Sequence, residues 1–276
     1  MSIAVLSLLI VILATATSSV LRTWQTGLGT VDNFTKSRTM LNLLDRDIQM
    51  IVLRRDLGAF VNTTTNVPAC AFCANIQGYP GTDTRAISLV AYTNVIVPNV
   101  SATLQRLNYG MSFVPTGISP TVGTNTLAQI ANIPANGVEN LATGVVAFKW
   151  QFIDGNGYYQ TPNPPSTPAF LYDFAAPGSP TNYRTVVVSM VVMSDNAYNL
   201  AIKTGTLSRL TDGATDFPTT LPLSATNQSF ATYWSGLLNH PAGNTFDPAL
   251  PAPVRDPGGI SVIERHIPLP TIAASY

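Results

Sequence analysis

The chain has 276 residues, and its 14 basic and 14 acidic side chains give a formal net charge of zero. A neutral chain has no electrostatic basis for binding nucleic acid or an anionic surface, so we predict no nucleic-acid partner. Charged residues make up only 10% of the sequence, against about 25% in a typical soluble protein. This low charge favours an extracytoplasmic, β-rich domain with long loops.

The N-terminal segment predicts a membrane-spanning helix. Residues 1–21 contain no charged side chain, and the first charge is at Arg22. About 20 consecutive apolar or small residues are the length that an α-helix needs to cross the hydrocarbon core of a bilayer. We therefore assign residues 1–21 to the membrane, with Leu6, Leu9, Ile12 and Leu13 among the side chains that face lipid or other helices.

The helical pattern continues beyond the membrane. Apolar residues recur there at spacings of three, four or seven, at Trp24, Leu28, Val31, Phe34, Leu41, Leu44, Ile48 and Ile51. The pattern predicts one helix over residues 1–57, with Gly58 as its C-terminal cap and a length of roughly 80 Å. Residues 58–276 would then form the globular domain, against which the second half of the helix packs.

Three other interpretations of the N-terminal segment remain open. Ala14-Thr15-Ala16 is a small-residue sequence at which a secretory signal could be cleaved, although no Lys or Arg precedes the apolar run. The segment could also be a plain single-pass anchor, followed by Arg22 and Lys36. The third alternative is a helix buried in the core.

The two cysteines, Cys70 and Cys73, lie in a CxxC sequence within a predicted loop over residues 62–83. A lone CxxC lacks the second half of a zinc site, and no βαβ pattern surrounds it as in thioredoxin-type proteins. We interpret the pair as a disulfide or as inert thiols, and we predict neither a metal site nor a cofactor. Outside the cytoplasm, the disulfide is favoured.

Strand-like composition and alternation recur along the rest of the chain. The predicted strands are residues 87–97, 102–114, 145–153, 184–193 and 260–269, with 184–193 in a central position. In the third strand we expect one face to carry Val146, Phe148, Trp150 and Phe152, and the other Lys149 and Gln151. Asp154-Gly155-Asn156-Gly157 predicts a hairpin turn after it. We predict a short helix or a turn over residues 195–203. We predict loops over residues 116–140, 161–180 and 211–259. One long helix followed by an antiparallel sheet is an α+β fold.

Four segments of the sequence resemble segments of the minor pseudopilin J branch of the type IV pilin and type II secretion pseudopilin family, and they occur in the same order along the chain. Residues 43–48 (LLDRDI) are similar to an acid–arginine–acid segment late in the family helix, and residues 104–109 (LQRLNY) to its L-Q-R strand. Residues 141–155, ending in Asp154-Gly155, and the apolar strand 184–193 are similar to the two strands that follow. The low charge and large loop insertions also resemble a verrucomicrobial group of pilin-like cassette proteins.

The resemblance implies a pilin-like fold and a role in filament assembly. Pilin-like proteins begin with a basic leader, a glycine–phenylalanine cleavage point and a glutamate five residues into the mature chain. This sequence shows none of these, because Met1 already lies inside the apolar run. We expect that the start site was assigned too late, and the glutamate that registers neighbouring helices in the family has no counterpart to name.

No group of residues in the sequence has the arrangement that a catalytic mechanism would need. Asp45 and Asp47 project about 200° apart on a helix, so their carboxylates cannot converge on one substrate atom, and solvated ion pairs or subunit contacts explain them better. His240 and His266 have no nucleophile in a recognisable setting, and Asp154 begins a turn that lacks the further ligands of a calcium loop. The aromatic pairs Tyr158-Tyr159 and Tyr233-Trp234 form either core or a binding platform.

From the sequence we therefore predict a non-catalytic, pilin-like or pseudopilin subunit, anchored by one span in the inner membrane, with its β-domain in the periplasm or on a filament. Its partners are other pilin-like subunits, bound through an assembly helix, and no small-molecule substrate is expected. The assembly residues are Leu6, Leu9, Ile12, Leu13, Leu28, Val31, Leu41 and Leu44. The alternative is a membrane-anchored extracytoplasmic domain that binds a glycan or protein through the loops 161–180 and 211–259.

Overall fold

The computed structural model describes residues 2–52, 59–61, 70–78, 87–110, 137–160, 169–172, 184–211, 217–218, 221, 227–239, 250–255 and 258–270. One long helix, α1 (Ser2–Gln49), precedes a domain of antiparallel sheets, so the protein has an α+β fold, as predicted. The helix ends at Gln49 rather than at residue 57, which corrects the predicted boundary. Beyond Gln49 the chain pairs with a strand: Ile51 bridges Ala74, and the Val52 N–H donates to the Cys73 carbonyl.

The described strands form two sheets rather than the one expected. A six-stranded sheet has the order β5-β4-β3-β2-β1-β8, and a four-stranded sheet has the order β10-β9-β6-β7. In chain order the strands are β1 (Ala59–Val61), β2 (Cys70–Ala74), β3 (Ser88–Val97), β4 (Ser101–Gly110), β5 (Val138–Thr143), β6 (Val145–Ile153), β7 (Tyr159–Gln160), β8 (Ala169–Tyr172), β9 (Thr185–Met193) and β10 (Ile260–Pro268). Every pairing between them is antiparallel.

Four short helices complete the described structure. They are α2 (Asp195–Lys203), α3 (Leu207–Leu210), α4 (Phe230–Asn239) and α5 (Ala252–Arg255). For residues 195–203 the sequence predicted either a helix or a turn. The segment is a helix, and the side chain of the preceding residue, Ser194, caps its N-terminus. Helix α4 contradicts the predicted loop 211–259, because Phe230, Ala231 and Trp234 share one buried face although Asn, Pro and Gly surround them in sequence.

The strand predictions at 87–97, 145–153, 184–193 and 260–269 are confirmed, and β4 confirms the described part of 102–114. The predicted loops were wrong where β2, the start of β5 and β8 lie. The hairpin after β6 is confirmed: Asp154 Oδ1 accepts the backbone N–H of Asn156 at 2.8 Å and that of Tyr158 at 3.0 Å. Gly157 has a φ of +86° in this turn, a conformation that favours glycine.

Two large cores cover the faces of the four-stranded sheet. The first lies where α1 meets both sheets; Leu44 and Ile48 pack there with Tyr92, Phe148 and Trp150. The second lies between the opposite face of that sheet and the short helices. The predicted alternation in β6 holds for Phe148, Trp150 and Phe152 but not for Val146, because a bulge between Val145 and Ala147 turns Val146 into the second core.

Candidate functional site

The first half of α1 is a candidate interaction surface because its apolar side chains are exposed. The helix is long and apolar enough to cross a membrane, and none of its most apolar window is buried. The predicted assembly residues Leu6, Leu9, Ile12 and Leu13 all lie in this exposed part. An apolar surface of this extent needs lipid or protein to cover it.

The second half of α1 does not continue one apolar stripe, as the sequence pattern suggested. Leu41 is 4% exposed and Leu44 is 1% exposed, so both lie in the core of their own chain and are unavailable to a partner. Leu28 and Val31, in contrast, are 56% and 63% exposed. The predicted assembly residues are therefore divided between a surface and a core.

Helix geometry explains this division. With about 100° per residue, Trp24, Leu28 and Val31 fall within roughly 60° of one another on one side of α1. The buried positions Asn33 and Ser37 lie on the opposite side, facing the domain. The outward apolar stripe, which we define as Trp24, Leu28, Val31 and Phe34, is fully outside the domain contact. Beyond it, the same side of the helix is polar at Thr35 and Thr39.

A close backbone approach fixes α1 on the domain just beyond the apolar run. A Cβ atom placed on Gly29 would lie 2.4 Å from the Gly258 carbonyl oxygen, and one placed on Gly258 would lie 2.3 Å from that of Thr26. Nearby, the Asn33 amide donates to Ser261 Oγ at 3.0 Å, and Lys36 Nζ lies 3.0 Å from Asp32 and 2.5 Å from Asp195. Glycine is therefore needed at positions 29 and 258, because any larger side chain would overlap the backbone of the facing segment.

We expect Gly29→Ala to destabilise the folded chain by about 1–3 kcal/mol, because its methyl group would overlap the Gly258 carbonyl. Gly27 is a matched control in the same helix, since nothing lies within 4 Å of a Cβ placed there. Gly27→Ala should instead stabilise the helix by about 0.5–1 kcal/mol. Chemical denaturation in detergent micelles measures both effects. Equal free energies of unfolding for the two variants would contradict the close approach.

A buried ionic cluster, not expected from the sequence, joins the end of α1 to the six-stranded sheet. Asp47 has no exposed side-chain surface; its Oδ2 lies 2.5 Å from Arg106 Nε on β4 and 2.7 Å from the Tyr92 hydroxyl on β3. The prediction of a solvated ion pair or subunit contact is therefore wrong for Asp47. Asp45, on the other side of the helix, pairs with Arg265 at 2.7 Å. The two carboxylates diverge, as predicted.

Burial and the Asp47 charge determine the protonation of this cluster. Burial, and then the neighbouring Asp47 carboxylate, raise the pKa of Tyr92 far above its ordinary value, so the hydroxyl stays protonated and donates. Burial alone would lower the pKa of Arg106, but the hydrogen bond and charge of Asp47 outweigh it and the pKa is raised. Tyr92 therefore keeps its proton and Arg106 keeps its charge, which suits positioning the helix rather than transferring a proton.

The two cysteines do not form the expected disulfide with each other. Cys70 and Cys73 lie three residues apart on β2, so their side chains point to opposite faces of the sheet. Cys70 belongs to the core beside α1, and Cys73 to a third cluster on the other face. Burial raises the pKa of the Cys70 thiol well above its ordinary value, which keeps it protonated and unreactive.

The remaining candidates divide between surface and core. His266 is exposed and pairs with Glu264 at 2.6 Å, whereas His240 lies outside the described residues. Trp234 is fully buried against Phe230, so it is core rather than a binding platform. Within the described ranges, no three His, Cys, Asp or Glu side chains are placed to hold a metal ion. Of the loops proposed for ligand binding, 161–180 lies mostly outside the described residues, and so does about half of 211–259.

Comparison with known proteins assigns no family. No protein-family model matches the chain, and no curated protein matches it. Two of the four segments named in the sequence analysis contact each other in the fold, since Asp47 of residues 43–48 pairs with Arg106 of residues 104–109.

Proposed function

We propose that the chain is a non-catalytic, pilin-like structural subunit that is held in the inner membrane by α1 and assembles with sibling subunits through the same helix. Its β-domain lies in the periplasm or on the outside of a short filament of the pseudopilus type. The side of the membrane and the kind of filament follow from the sequence resemblance. The assembly role rests on the exposed surface of α1.

The outward apolar stripe is the observation that carries this proposal. A membrane span alone explains exposed apolar side chains only as far as about Leu21, where charged residues begin. Leu28 and Val31 lie seven and ten residues further along, about 10–15 Å beyond the span, and remain exposed. Because they face away from the domain, another protein surface is needed to remove them from water. A helix from a neighbouring subunit fits this long, narrow shape.

The exposed apolar helix also explains how a subunit could leave the bilayer. A span without charged groups exchanges lipid neighbours for other helices at little cost in free energy. A repeated contact between one face of a subunit and a different face of the next builds an open helical assembly. The stripe continues that contact outside the membrane, which the alternative of a solitary anchored binding domain does not require.

The double substitution Leu28→Glu with Val31→Glu should reduce co-purification of sibling subunits at least tenfold, because two carboxylates would be buried in an apolar contact. The fold should survive, since both side chains are exposed. Thr39→Glu, on the same outward side beyond the stripe, is the matched control and should co-purify normally. Unchanged co-purification by the double variant would count against the assembly role.

A further inference from the structure

One end of the globular domain faces the membrane-spanning half of α1. There, Gly258 packs on Thr26, and the Asp195 N–H lies 3.3 Å from an Asp32 carboxylate oxygen. Strand β10 then runs along α1 away from the span, because its later residue Arg265 contacts Asp45. We call the end at Gly258 the proximal end of the domain.

The β3–β4 turn belongs to the same end. The hydroxyl of Tyr198, on α2, accepts the Ala102 N–H at 3.0 Å, and the Ser208 N–H donates to Asn99 Oδ1 at 3.0 Å. Helix α2 thus connects the turn to the part of the domain that contacts α1 at Asp195. The turn carries Val97 and Val100, which are 43% and 63% exposed.

Helix geometry places the proximal end close to the bilayer. Thr26 lies five residues after Leu21, which corresponds to about 7.5 Å along the helix. The polar headgroup layer adds about 5–8 Å on each side of the hydrocarbon core. Gly258 therefore lies at the outer surface of that layer. Trp24 lies within the layer, where tryptophan is enriched in membrane proteins.

The proximal end presents side chains that suit this interface. Pro253 and Arg255 are exposed beside Gly258, and Lys203 is exposed at the end of α2. Arginine and lysine can donate to lipid phosphates while their stems remain in a less polar layer. A tilt of α1 toward the domain by about 20°, the average for membrane helices, would lower Val97 and Val100 toward the same surface.

We propose that the proximal end of the domain rests on the phospholipid headgroup layer, with Pro253, Arg255 and Gly258 as one point of contact and the Val97–Val100 turn as the other. The inference rests on the proposed membrane anchoring and adds a second membrane contact to it. Two contacts fix the orientation of the domain about α1. The side chains of the outward apolar stripe then point parallel to the membrane surface, toward neighbouring subunits that diffuse in the same membrane.

Variants of the full chain with one added cysteine, reconstituted in phosphatidylcholine vesicles, test this contact. A small fluorophore is attached at Pro253→Cys, Val100→Cys, Leu21→Cys or Asn156→Cys, and lipids with a spin-labelled headgroup act as the quencher. Asn156 is the control, because it is exposed in the turn after β6, at the end of the domain remote from Gly258. Cys70 and Cys73 are buried and should not react with the fluorophore.

We expect quenching at Pro253 and Val100 to reach at least half of that at Leu21, with only background quenching at Asn156. Quenching at Leu21 together with background values at Pro253 and Val100 would overturn the headgroup contact while leaving the anchor intact. Quenching at Pro253 alone would overturn the two-point contact and the fixed orientation. Background quenching at Leu21 would overturn the membrane anchoring itself, and the headgroup contact with it.

Discussion

Replacing Arg106 by methionine should destabilise the folded chain by about 3–5 kcal/mol, because the fully buried Asp47 carboxylate would lose its charged partner. The expected loss is large because only the Tyr92 hydroxyl and the more exposed Arg46 guanidinium, 3.4 Å away, would remain to stabilise that charge. Chemical denaturation in detergent micelles, followed by circular dichroism, measures the free energy of unfolding. Helix α1 should detach from the six-stranded sheet early in this transition.

Two further variants separate this effect from a general loss of charge. Arg46→Met removes a more exposed guanidinium that lies 3.4 Å from the same carboxylate, and should cost only about 0–1 kcal/mol. Replacing the cluster as a whole, with Asp47→Leu, Tyr92→Phe and Arg106→Met, should restore most of the lost stability, because no buried polar group is left unpaired. A triple variant less stable than Arg106→Met would contradict the account.

A charge in the middle of the apolar run should release the chain from the membrane. Aspartate at the centre of a spanning helix costs about 2.5–3.5 kcal/mol, which corresponds to a loss of roughly two orders of magnitude in membrane partitioning. We therefore expect Ile12→Asp, or the same change at Leu9, to move most of the protein to the soluble or degraded fraction. Carbonate extraction of membranes, followed by immunoblotting, measures the distribution.

Gln25→Asp is the control for this change. Gln25 is exposed and lies beyond the predicted span, so an aspartate there should leave the protein in the membrane pellet. Membrane retention of both variants would mean that residues 1–21 are not the anchor. Loss of both would point to a general failure of expression rather than to membrane partitioning.

The regular strands could be predicted because their patterns are local. Residues 145–153 and 184–193 owe their structure to β-branched and aromatic side chains that pack on both faces of a sheet, and this composition is visible in the sequence. Helix α4 was missed because its signal is an amphipathic run of only ten residues between Pro-, Asn- and Gly-rich segments. Strand β2 was missed for the related reason that CAFCA is short and lies within a polar stretch.

The candidate site was predicted only in part, for a different reason. Asp47 and Arg106 are 59 positions apart, and nothing in either segment alone indicates that the carboxylate meets the guanidinium in a core. The apolar residues of α1 were found, but their periodicity could not show that Leu28 and Val31 stay exposed whereas Leu41 and Leu44 are buried in the core. That division depends on where the domain touches the helix, which the close approach of Gly29 and Gly258 determines.

The most direct test of the assembly role is a cysteine scan of exposed positions along α1 in native membranes, with cross-linking between subunits as the readout. The account predicts strong cross-links at Trp24, Leu28 and Val31, and a decline at Thr35 and Thr39 where the outward side of the helix becomes polar. Cross-linking that is equal at all of these positions, or absent from all of them, would contradict a helix-mediated filament subunit.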